Sequence, residues 1–355
     1  INRMGHIFSE IDRYLQAGQR VVAARIIRRA GSSPRATGTG CLVLADGTLK
    51  GTIGGGLLEH QVLQRAKEVF ITGRTTVLSV RLRVTDSGRS EMLCGGDVDV
   101  YLEPILPEDQ AAKDIFSKIA AMIAEGRSGV LITRILEGSD CSRGDCCRVL
   151  LEKDGTVVGS PAAFPGIGDQ GLEKFLQIHA PTVQNTGSQG PPVFIEPVKP
   201  DDVLYLFGGG HISACLAPLA KMAGFKLVVI DDRKEFANRE RFPSAHGIVV
   251  APFQGAFDHI RINPASYIVI VTRGHTHDRD VLHQALQRPS AYIGMIGSRR
   301  KKDIIYRSLA ENGVTSEQLN RVHCPIGLDI GAETPEEIAF SIMAELIKTR
   351  SSLYP

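Results

Sequence analysis

Two triplets of glycine constrain the fold of this chain most strongly, because each one separates a short apolar run from a longer run with helical spacing. The triplets are Gly54-Gly55-Gly56 and Gly208-Gly209-Gly210. A strand that turns at glycines into a helix directs backbone N–H groups, and the positive end of the helix dipole, to one point. Such a turn suits phosphate or another anion. Two of them, in halves of different character, predict a protein that holds a phosphate-bearing molecule between two domains.

The second half of the chain alternates apolar runs with helical segments. The apolar runs cover residues 203–207, 226–230, 247–250, 267–271 and 292–294. This alternation is typical of a doubly wound parallel sheet, and we therefore predict a Rossmann-like domain. A stretch rich in glycine and proline, residues 185–200, precedes the alternation and indicates a linker. We place the domain boundary near its end, between a first domain of residues 1–198 and a second of residues 199–355.

The first half mixes strand and helix signals without strict alternation. Asp46-Gly47 and Asp154-Gly155 each lie between two apolar segments and predict β-hairpins. We therefore predict a mixed α+β domain here, in a chain of α/β class as a whole. A length of 355 residues is large for a single hydrophobic core, which also favours two domains.

Composition argues against several classes of function. A net charge of +2 gives no general attraction to nucleic acid or to an anionic membrane, and no run of about 18 apolar residues predicts a membrane span. The seven cysteines are odd in number and scattered, which argues against a disulfide framework and for a reducing, cytoplasmic compartment. Three of them fall in residues 141–147 without zinc-site spacing, and we interpret that segment as an oxidisable feature beside a hairpin.

The second glycine turn has most of a dinucleotide-binding fingerprint. It reads Gly208-x-Gly210-x-x-Ser213, with a small serine where the third glycine usually stands. Asp231 follows Gly210 by 21 residues, near the spacing of a carboxylate that binds a ribose hydroxyl. Arg233 and Lys234 lie just beyond Asp231 and could instead meet a 2′-phosphate, so NAD, NADP and another nucleotide all stay open. The alternative is a Rossmann-like sheet that has lost its ligand.

A second loop of the same half also leads from a strand into a helix. Its residues Gly297, Ser298 and Arg299 lie where ligands bind in parallel sheets, and Ser298 is predicted to cap the helix. The hydroxyl of Ser298 and the guanidinium of Arg299 could contact phosphate. Four cations, residues 299–302, oppose the helix dipole, which is easier to explain if an anion binds there. The alternative is a solvated basic face.

The loop before that one contains His275-x-His277-Asp278. Two imidazoles and a carboxylate at this spacing could hold a divalent metal, although no third or fourth ligand is identifiable. They could also bind phosphate or a carboxylate, or Asp278 could cap the next helix.

The first half offers fewer signals of chemistry. Glu59 lies in the first turn of the predicted helix, where a carboxylate is favoured by the dipole, so a capping role competes with a ligand contact. Cys94-Gly95-Gly96 places a thiol beside two glycines, which lets a bulky ligand approach. A thiolate there could ligate a soft metal or carry sulfur. The alternative is a small buried residue at a tight turn.

Several of these segments together resemble one family. Three segments of the first half resemble the N-terminal domain of the xanthine dehydrogenase accessory family XdhC/CoxI: residues 31–35, 51–59 and 94–96. Three segments of the second half resemble the Rossmann domain of that family: residues 208–211, 292–299 and 325–331. Several motifs in the same order are more specific than any one of them, and they span nearly the whole chain. One departure is Leu93, which precedes the cysteine where methionine is common in the family.

The resemblance implies a function. Members of this family are similar to chaperones that bind molybdenum cofactor, as molybdopterin or its dinucleotide form, and deliver it to a molybdenum hydroxylase apo-enzyme. Sulfuration by a cysteine desulfurase is coupled to delivery, and a homodimer without turnover of its own is expected. On this view Cys94 contacts the molybdenum and the glycine turns hold the phosphate. The expected cofactor-binding residues are Gly54, Gly55, Gly56, Glu59, Cys94, Gly95, Gly96, Gly208, Gly209, Gly210, His211, Asp231, Gly297, Ser298 and Arg299.

Two other functions stay open at this point. The Rossmann-like half alone also predicts an NAD(P)-dependent oxidoreductase in which His275 or His277 is the acid–base group. A third hypothesis is a scaffold that senses a nucleotide and changes a partner contact. The first half offers no evident acid–base pair for hydride transfer, which favours the chaperone.

Overall fold

The computed structural model describes residues 4–31, 36–82, 96–143, 147–164, 171, 173–185 and 190–353. The chain divides into two compact units, Ile1–Pro200 and Asp201–Pro355, which we call the N-terminal and the C-terminal unit. The boundary predicted from the sequence falls after residue 198.

In the described part of the N-terminal unit, one antiparallel sheet has five strands. They are β1 (Val21–Gly31), β2 (Gly40–Leu44), β3 (Leu49–Gly51), β4 (Thr76–Leu82) and β5 (Gly96–Ile105), and the helices of the unit are α1 (Met4–Gln16), α2 (Gly56–Thr72) and α3 (Gln110–Ala124). The order across the sheet is β3-β2-β1-β5-β4. Val22 and Ala24 of β1 pack in the core that includes α2, whereas Val21 and Ala23 pack in the core that includes α1 and α3. Because both faces are covered, β1 is apolar at consecutive positions.

A second five-stranded antiparallel sheet lies in the same described part. Its strands are β6 (Gly129–Arg134), β7 (Arg148–Glu152), β8 (Val157–Gly159), β9 (Thr182–Gln184) and β10 (Val193–Val198), in the order β8-β7-β6-β10-β9. Leu131 and Leu150 join the core around α1 and α3. Val149 and Ile195 face the opposite side, against Phe164.

Both hairpins predicted from the sequence are confirmed. The first joins β2 to β3, and the second joins β7 to β8. In each turn an aspartate accepts a hydrogen bond from the backbone N–H of the threonine two residues later, at 2.8 Å for Asp46 and 2.9 Å for Asp154. The glycine after each aspartate has a positive φ, 83° and 89°, which explains why Asp-Gly marks both turns.

Buried charges connect the two sheets of the N-terminal unit. Arg25 of β1 donates to Glu103 of β5 at 3.3 Å and lies 3.3 Å from Glu196 of β10. Arg148 of β7 lies 2.8 Å from Glu103 and 3.3 Å from Asp109. The approach of Arg25 Nε to Glu196 lacks hydrogen-bond geometry, and neither oxygen of Glu196 has a hydrogen-bond partner within the described residues. Glu196 is therefore buried beside Arg25 without a hydrogen bond to either of its oxygens.

The C-terminal unit is described without a gap from residue 201 to residue 353. Its strands are β11 (Val203–Phe207), β12 (Lys226–Asp231), β13 (Gly247–Val250), β14 (Ser266–Ile270), β15 (Tyr292–Met295) and β16 (Val322–His323). Its helices are α4 (His211–Met222), α5 (His275–Leu286), α6 (Arg299–Glu311), α7 (Ser316–Asn320) and α8 (Pro335–Leu353). All the strand pairs are parallel, in the order β13-β12-β11-β14-β15-β16, which confirms the predicted doubly wound sheet.

This strand order fixes where a ligand crevice lies. The chain builds outward from β11 through β12 to β13, then returns to the other side of β11 and continues from β14 to β16. The order therefore reverses between β11 and β14, and a crevice opens beyond the carboxyl ends of these two strands. Both faces of the sheet are buried: Phe207 stacks on Phe257 at 4.8 Å on one side, and Leu206 packs with Leu216 on the other.

Two features bear on the expectations from composition. No helix in the described ranges is long and apolar enough to cross a membrane. Cys141 is buried and disulfide-bonded, which the scattered cysteine spacing did not predict. Cys41, Cys215 and Cys324 are free thiols.

Candidate functional site

The glycine turn after β11 is packed tightly against its neighbours. Gly208 has φ +110°, and a Cβ there would lie 2.4 Å from the carbonyl oxygen of Val271. A Cβ on Gly209 would lie 2.4 Å from the carbonyl oxygen of Phe236. Gly210, by contrast, has φ −73° and open space around its Cβ position. The first two positions therefore require glycine because other backbone segments approach them closely.

Ser213 explains how the turn tolerates a serine in place of the third glycine. Its side chain is fully buried, and its hydroxyl donates to the carbonyl oxygen of Gly208. The hydroxyl thus ties the first turn of α4 to the end of β11.

The first turn of α4 leaves backbone donors unpaired. Gly210 is the residue before the helix and supplies no side-chain cap. Within the described residues, no acceptor is found for the N–H groups of Gly210, exposed His211 or Ile212. These N–H groups and the helix dipole together suit an anion at the mouth of the crevice.

Asp231, the predicted ribose-binding carboxylate, already has partners inside the protein. One oxygen accepts from Gly209 N at 2.8 Å and from Arg233 Nη2 at 3.2 Å. The other accepts from Arg233 N at 3.1 Å and Nε at 2.9 Å. Only 1% of the Asp231 residue is exposed. A ribose contact by Asp231 stays a prediction, and it would require Arg233 to move.

The segment after β12 folds onto the glycine turn. The guanidinium carbons of Arg233 and Arg241 lie 3.6 Å and 5.3 Å from the centre of the Phe236 ring. Arg241 also donates to the carbonyl oxygen of Gly209 at 3.2 Å. The turn is therefore held from outside by one aromatic ring and two cations.

An ion pair crosses the end of β11. Asp232 follows β12, Arg273 follows β14, and their side chains form two hydrogen bonds of 2.5 and 2.7 Å. Arg273 holds the pKa of Asp232 down to about 2, so this carboxyl stays ionised. Since β11 lies between β12 and β14, the pair passes over the carboxyl end of β11.

The start of α6 confirms the predicted cap. Ser298 accepts from the backbone N–H of Lys301 at 3.2 Å. The Lys301 ammonium donates to Asp278, whose fully buried carboxylate also accepts from Thr272 Oγ1 at 2.7 Å. Lys301 thereby joins α6 to α5.

A cavity of about 510 Å³ lies between the first turns of α5 and α6. It is lined by Arg273, Gly274, His275, Ser298, Arg300, Lys301 and Ile304. No carboxylate lies within ion-pair distance of Arg299 or Arg300 across the described residues. The cavity thus combines two helix N-termini with an uncompensated guanidinium, which suits a phosphate group.

The metal alternative for His275, His277 and Asp278 is not supported. His275 lines the cavity, His277 packs against Phe253 with 5.2 Å between ring centres, and Asp278 is engaged by Lys301. Across the described ranges, no group of three or more potential metal ligands lies together.

The first glycine turn has an anion of its own. Gly54, Gly55 and Gly56 all have positive φ, and Glu59 Oε1 accepts from Gly55 N at 3.1 Å. The same oxygen accepts from Ile53 N at 3.2 Å and from Thr52 Oγ1 at 2.6 Å. Burial acts to raise the pKa of Glu59, but these hydrogen bonds outweigh it and hold the pKa below its ordinary value. An external phosphate would have to compete with Glu59 here.

Other predicted residues are placed only in part. Gly96 begins β5 and pairs with Gly31 and Leu82 on the flanking strands. Cys94 and Gly95 lie outside the described residues. Asp232 and Arg273, in turn, were not predicted as site residues, although Asp232 directly follows β12 and Arg273 lies three residues after the end of β14.

Fold and site together define a class: a two-unit protein whose second unit is a Rossmann-type domain with a phosphate-suited crevice. Residues 204–346 match the XdhC Rossmann domain, and residues 14–81 match the XdhC and CoxI family. The chain belongs to the XdhC and CoxI family.

Two individual proteins are also similar to this chain in sequence. The chain is 26% identical over 350 residues to a probable xanthine dehydrogenase subunit of Bacillus subtilis (strain 168), with 98% of both proteins covered. It is 30% identical over 256 residues to "Uncharacterized protein YqeB" of Escherichia coli (strain K12), covering 67% of this chain. That alignment covers 47% of the Escherichia coli protein, so the chain spans about half of that relative's length.

One solved structure is similar over almost the whole chain. It is a crystal structure described as a xanthine dehydrogenase from Bacillus halodurans. The TM-score is 0.69 at 26% sequence identity, with 97% of this chain and 96% of that chain covered. The likeness extends over both units.

Proposed function

We propose that this chain is an accessory protein of a molybdenum hydroxylase of the xanthine dehydrogenase type, and that it binds the molybdenum cofactor before the cofactor enters the apo-enzyme. Membership of the XdhC and CoxI family supports the link to xanthine dehydrogenase, as does the name of the Bacillus subtilis relative. The observation that carries the cofactor part is the phosphate-suited crevice of the C-terminal unit, with unpaired N–H groups at α4 and a cationic cavity beside it.

The phosphate of the pterin, or the pyrophosphate of its dinucleotide form, fits this crevice by charge and by donors. The N–H groups of Gly210 and His211 offer hydrogen bonds, and Ser298 and Arg300 in the cavity wall offer a hydroxyl and a guanidinium. Arg299 begins α6 but does not line the cavity. The first glycine turn is a weaker candidate because Glu59 already accepts from its donors.

The molybdenum end of the cofactor is assigned to Cys94 in this proposal. A thiolate is a soft ligand, and the two glycines that follow it in the sequence leave room for a bulky group. Delivery would follow sulfuration by a cysteine desulfurase, from a homodimer that carries out no turnover of its own. Light scattering on a sizing column, with and without a desulfurase, tests both associations.

The test of cofactor binding begins with expression in cells that synthesise molybdenum cofactor and with anaerobic purification. Molybdenum and released pterin are then measured for the wild type, Cys94→Ala and Arg300→Ala, with Cys215→Ala as the control for loss of a thiol elsewhere. We expect pterin near one per chain in the wild type and in the control. Arg300→Ala should lose both molybdenum and pterin, because a guanidinium that meets the phosphate is gone.

The two variants test the assignments of Cys94 and Arg300 separately. Cys94→Ala should lose molybdenum or its sulfido ligand to a greater extent than pterin. Unchanged molybdenum and sulfur in Cys94→Ala would make the assignment of Cys94 wrong. A wild type without pterin would contradict cofactor binding itself.

A dinucleotide function is the second candidate, favoured by His275 in the cavity wall beside the crevice. An NAD(P)-dependent oxidoreductase would use this imidazole as its acid–base group, whereas a nucleotide-sensing scaffold would not need it. Copurified NAD(P) in place of pterin, with nicotinamide reduction by alcohols or acids that fails in His275→Ala, would favour the oxidoreductase. Copurified NAD(P) without reduction would favour the scaffold.

A further inference from the structure

The ion pair between Asp232 and Arg273 lies where a ligand phosphate would pass. Neighbouring strands of a sheet are about 4.8 Å apart, so a contact from the end of β12 to the end of β14 spans roughly 10 Å across β11. The glycine turn and the unpaired N–H groups of α4 begin at that end of β11. The pair therefore bridges the crevice at the point where the strand order reverses.

The charges around the cavity are balanced unequally. Lys301 is compensated by Asp278, a carboxylate that is fully buried and also held by Thr272. Arg300 has no carboxylate within ion-pair distance in the described part of the chain.

Asp232 is held less firmly than Asp278. Arg273 lines the cavity, and it pairs with Asp232. Among the described residues, the other cation within ion-pair distance of Asp232 is Arg233, at 3.7 Å, and neither of the two arginines is buried. Of the two carboxylates that pair with cations of the cavity wall, Asp232 is thus the one that can leave with least disturbance.

Asp232 and Arg273 are also exposed enough to exchange partners. Their side chains are 22% and 42% exposed, so water can solvate each of them when the pair opens. Ion pairs of this exposure contribute little to stability. The guanidinium fork binds a carboxylate and a phosphate in the same bidentate way, and the phosphate carries more charge.

We propose that the Asp232–Arg273 pair is an exchangeable latch, in which a phosphate group of the ligand displaces Asp232 and takes over the guanidinium of Arg273. Asp232 is then an internal competitor that lowers the affinity of the cavity for phosphate esters and pyrophosphates. Arg273 is the residue that closes over the bound group. The inference rests on the proposed function only in that the ligand carries phosphate.

The test uses the whole chain and inorganic pyrophosphate as the probe, by titration calorimetry at physiological ionic strength. Asp232→Asn removes the competitor and keeps Arg273, so we expect binding several-fold tighter than in the wild type. Arg273→Ala should bind about tenfold more weakly, as expected for one lost bidentate charged contact. Lys302→Ala is the matched control, because Lys302 lies on the same helix but stacks on Tyr306 and does not line the cavity.

The double variant distinguishes a latch from a general change of charge. In Asp232→Asn with Arg273→Ala, the affinity should equal that of Arg273→Ala alone, because Asp232 acts only through the guanidinium. Additive effects of the two substitutions would overturn the latch. So would an unchanged or weaker affinity in Asp232→Asn, or the absence of pyrophosphate binding at millimolar concentration in both the wild type and Asp232→Asn. Thermal unfolding of each variant shows that it is folded.

Failure of the latch and failure of the proposed function give different results. If the pyrophosphate affinities follow the expected order but no pterin copurifies, the latch stands and cofactor binding does not. If pterin copurifies while neither substitution changes the pyrophosphate affinity, cofactor binding stands and the latch does not. Repeating the titration with NADP, CTP and released pterin phosphate identifies which source of phosphate the latch responds to.

Discussion

Glu196 gives the N-terminal unit a pH dependence that a single substitution should remove. Burial raises the pKa of this carboxyl to about 7, while Arg25 acts against the rise and Glu103 adds to it. Charge balance gives the same direction: with Glu196 protonated, Arg25 and Arg148 are matched by Glu103 and Asp109. Ionisation of Glu196 would leave the buried network with one excess negative charge.

The size of the effect on stability follows from the rise in the pKa of Glu196. The folded unit binds the proton of Glu196 more tightly than the unfolded chain does, whose pKa is the ordinary 4.5. This stabilisation is fully present below pH 4.5 and is lost as pH rises through about 7. A rise from 4.5 to about 7 corresponds to about 3 kcal/mol of unfolding free energy. Glu196→Gln is neutral at every pH, so it should match the wild type at low pH and exceed its stability by up to that amount above pH 7.

The assay is urea unfolding followed by circular dichroism, at several pH values, because the chain has no tryptophan. Glu152→Gln is the control: Glu152 is 1% exposed but is paired with both Lys118 and Arg127. That variant should lose stability throughout the range, since Lys118 loses its ion-pair partner and Arg127 keeps only Glu125. If the unfolding free energies of the wild type and of Glu196→Gln change in parallel between about pH 5 and pH 8, the raised pKa of Glu196 is contradicted.

Substitutions at four further positions have expected outcomes that thermal unfolding can check. Gly208→Ala should cost at least about 2 kcal/mol because its Cβ meets the backbone of Val271 after β14, whereas Gly210→Ala should change stability little. Equal effects would contradict the packing described for the turn. Glu59→Ala should cost about 1–2 kcal/mol by leaving the donors of the first glycine turn unpaired, and Glu59→Gln should recover part of it. Ser298→Ala should cost about 1 kcal/mol through loss of the α6 cap, and an unchanged melting temperature would argue against that cap.

Local patterns predicted most of the fold. The apolar runs after residue 200 correspond to strands because parallel strands are buried on both faces and so read as unbroken apolar segments. Both Asp-Gly turns were predictable because the aspartate and the glycine meet needs of the turn itself. The strand β16 was not predicted, since two residues carry no periodicity.

Long-range partners were not predictable in this way. The sequence places Asp231 at a ribose-binding spacing, but nothing local indicates that Gly209, 22 residues earlier, already donates to its carboxylate. Arg25 and Glu103 are 78 residues apart, and only strand pairing brings them together. The sequence left two roles open for Glu59, a helix cap and a ligand contact. The hydrogen bonds at the glycine turn favour the cap.

The central claim is that this chain carries molybdenum cofactor to a hydroxylase. The most direct measurement incubates chain purified from cofactor-producing cells with a molybdenum-free apo-xanthine dehydrogenase, separates the two proteins, and measures pterin in each along with hydroxylase activity. We expect that pterin leaves the chain, appears in the hydroxylase in equal amount, and restores its activity. Pterin that never copurifies with the chain, or that stays on it while the hydroxylase remains inactive, would contradict the claim.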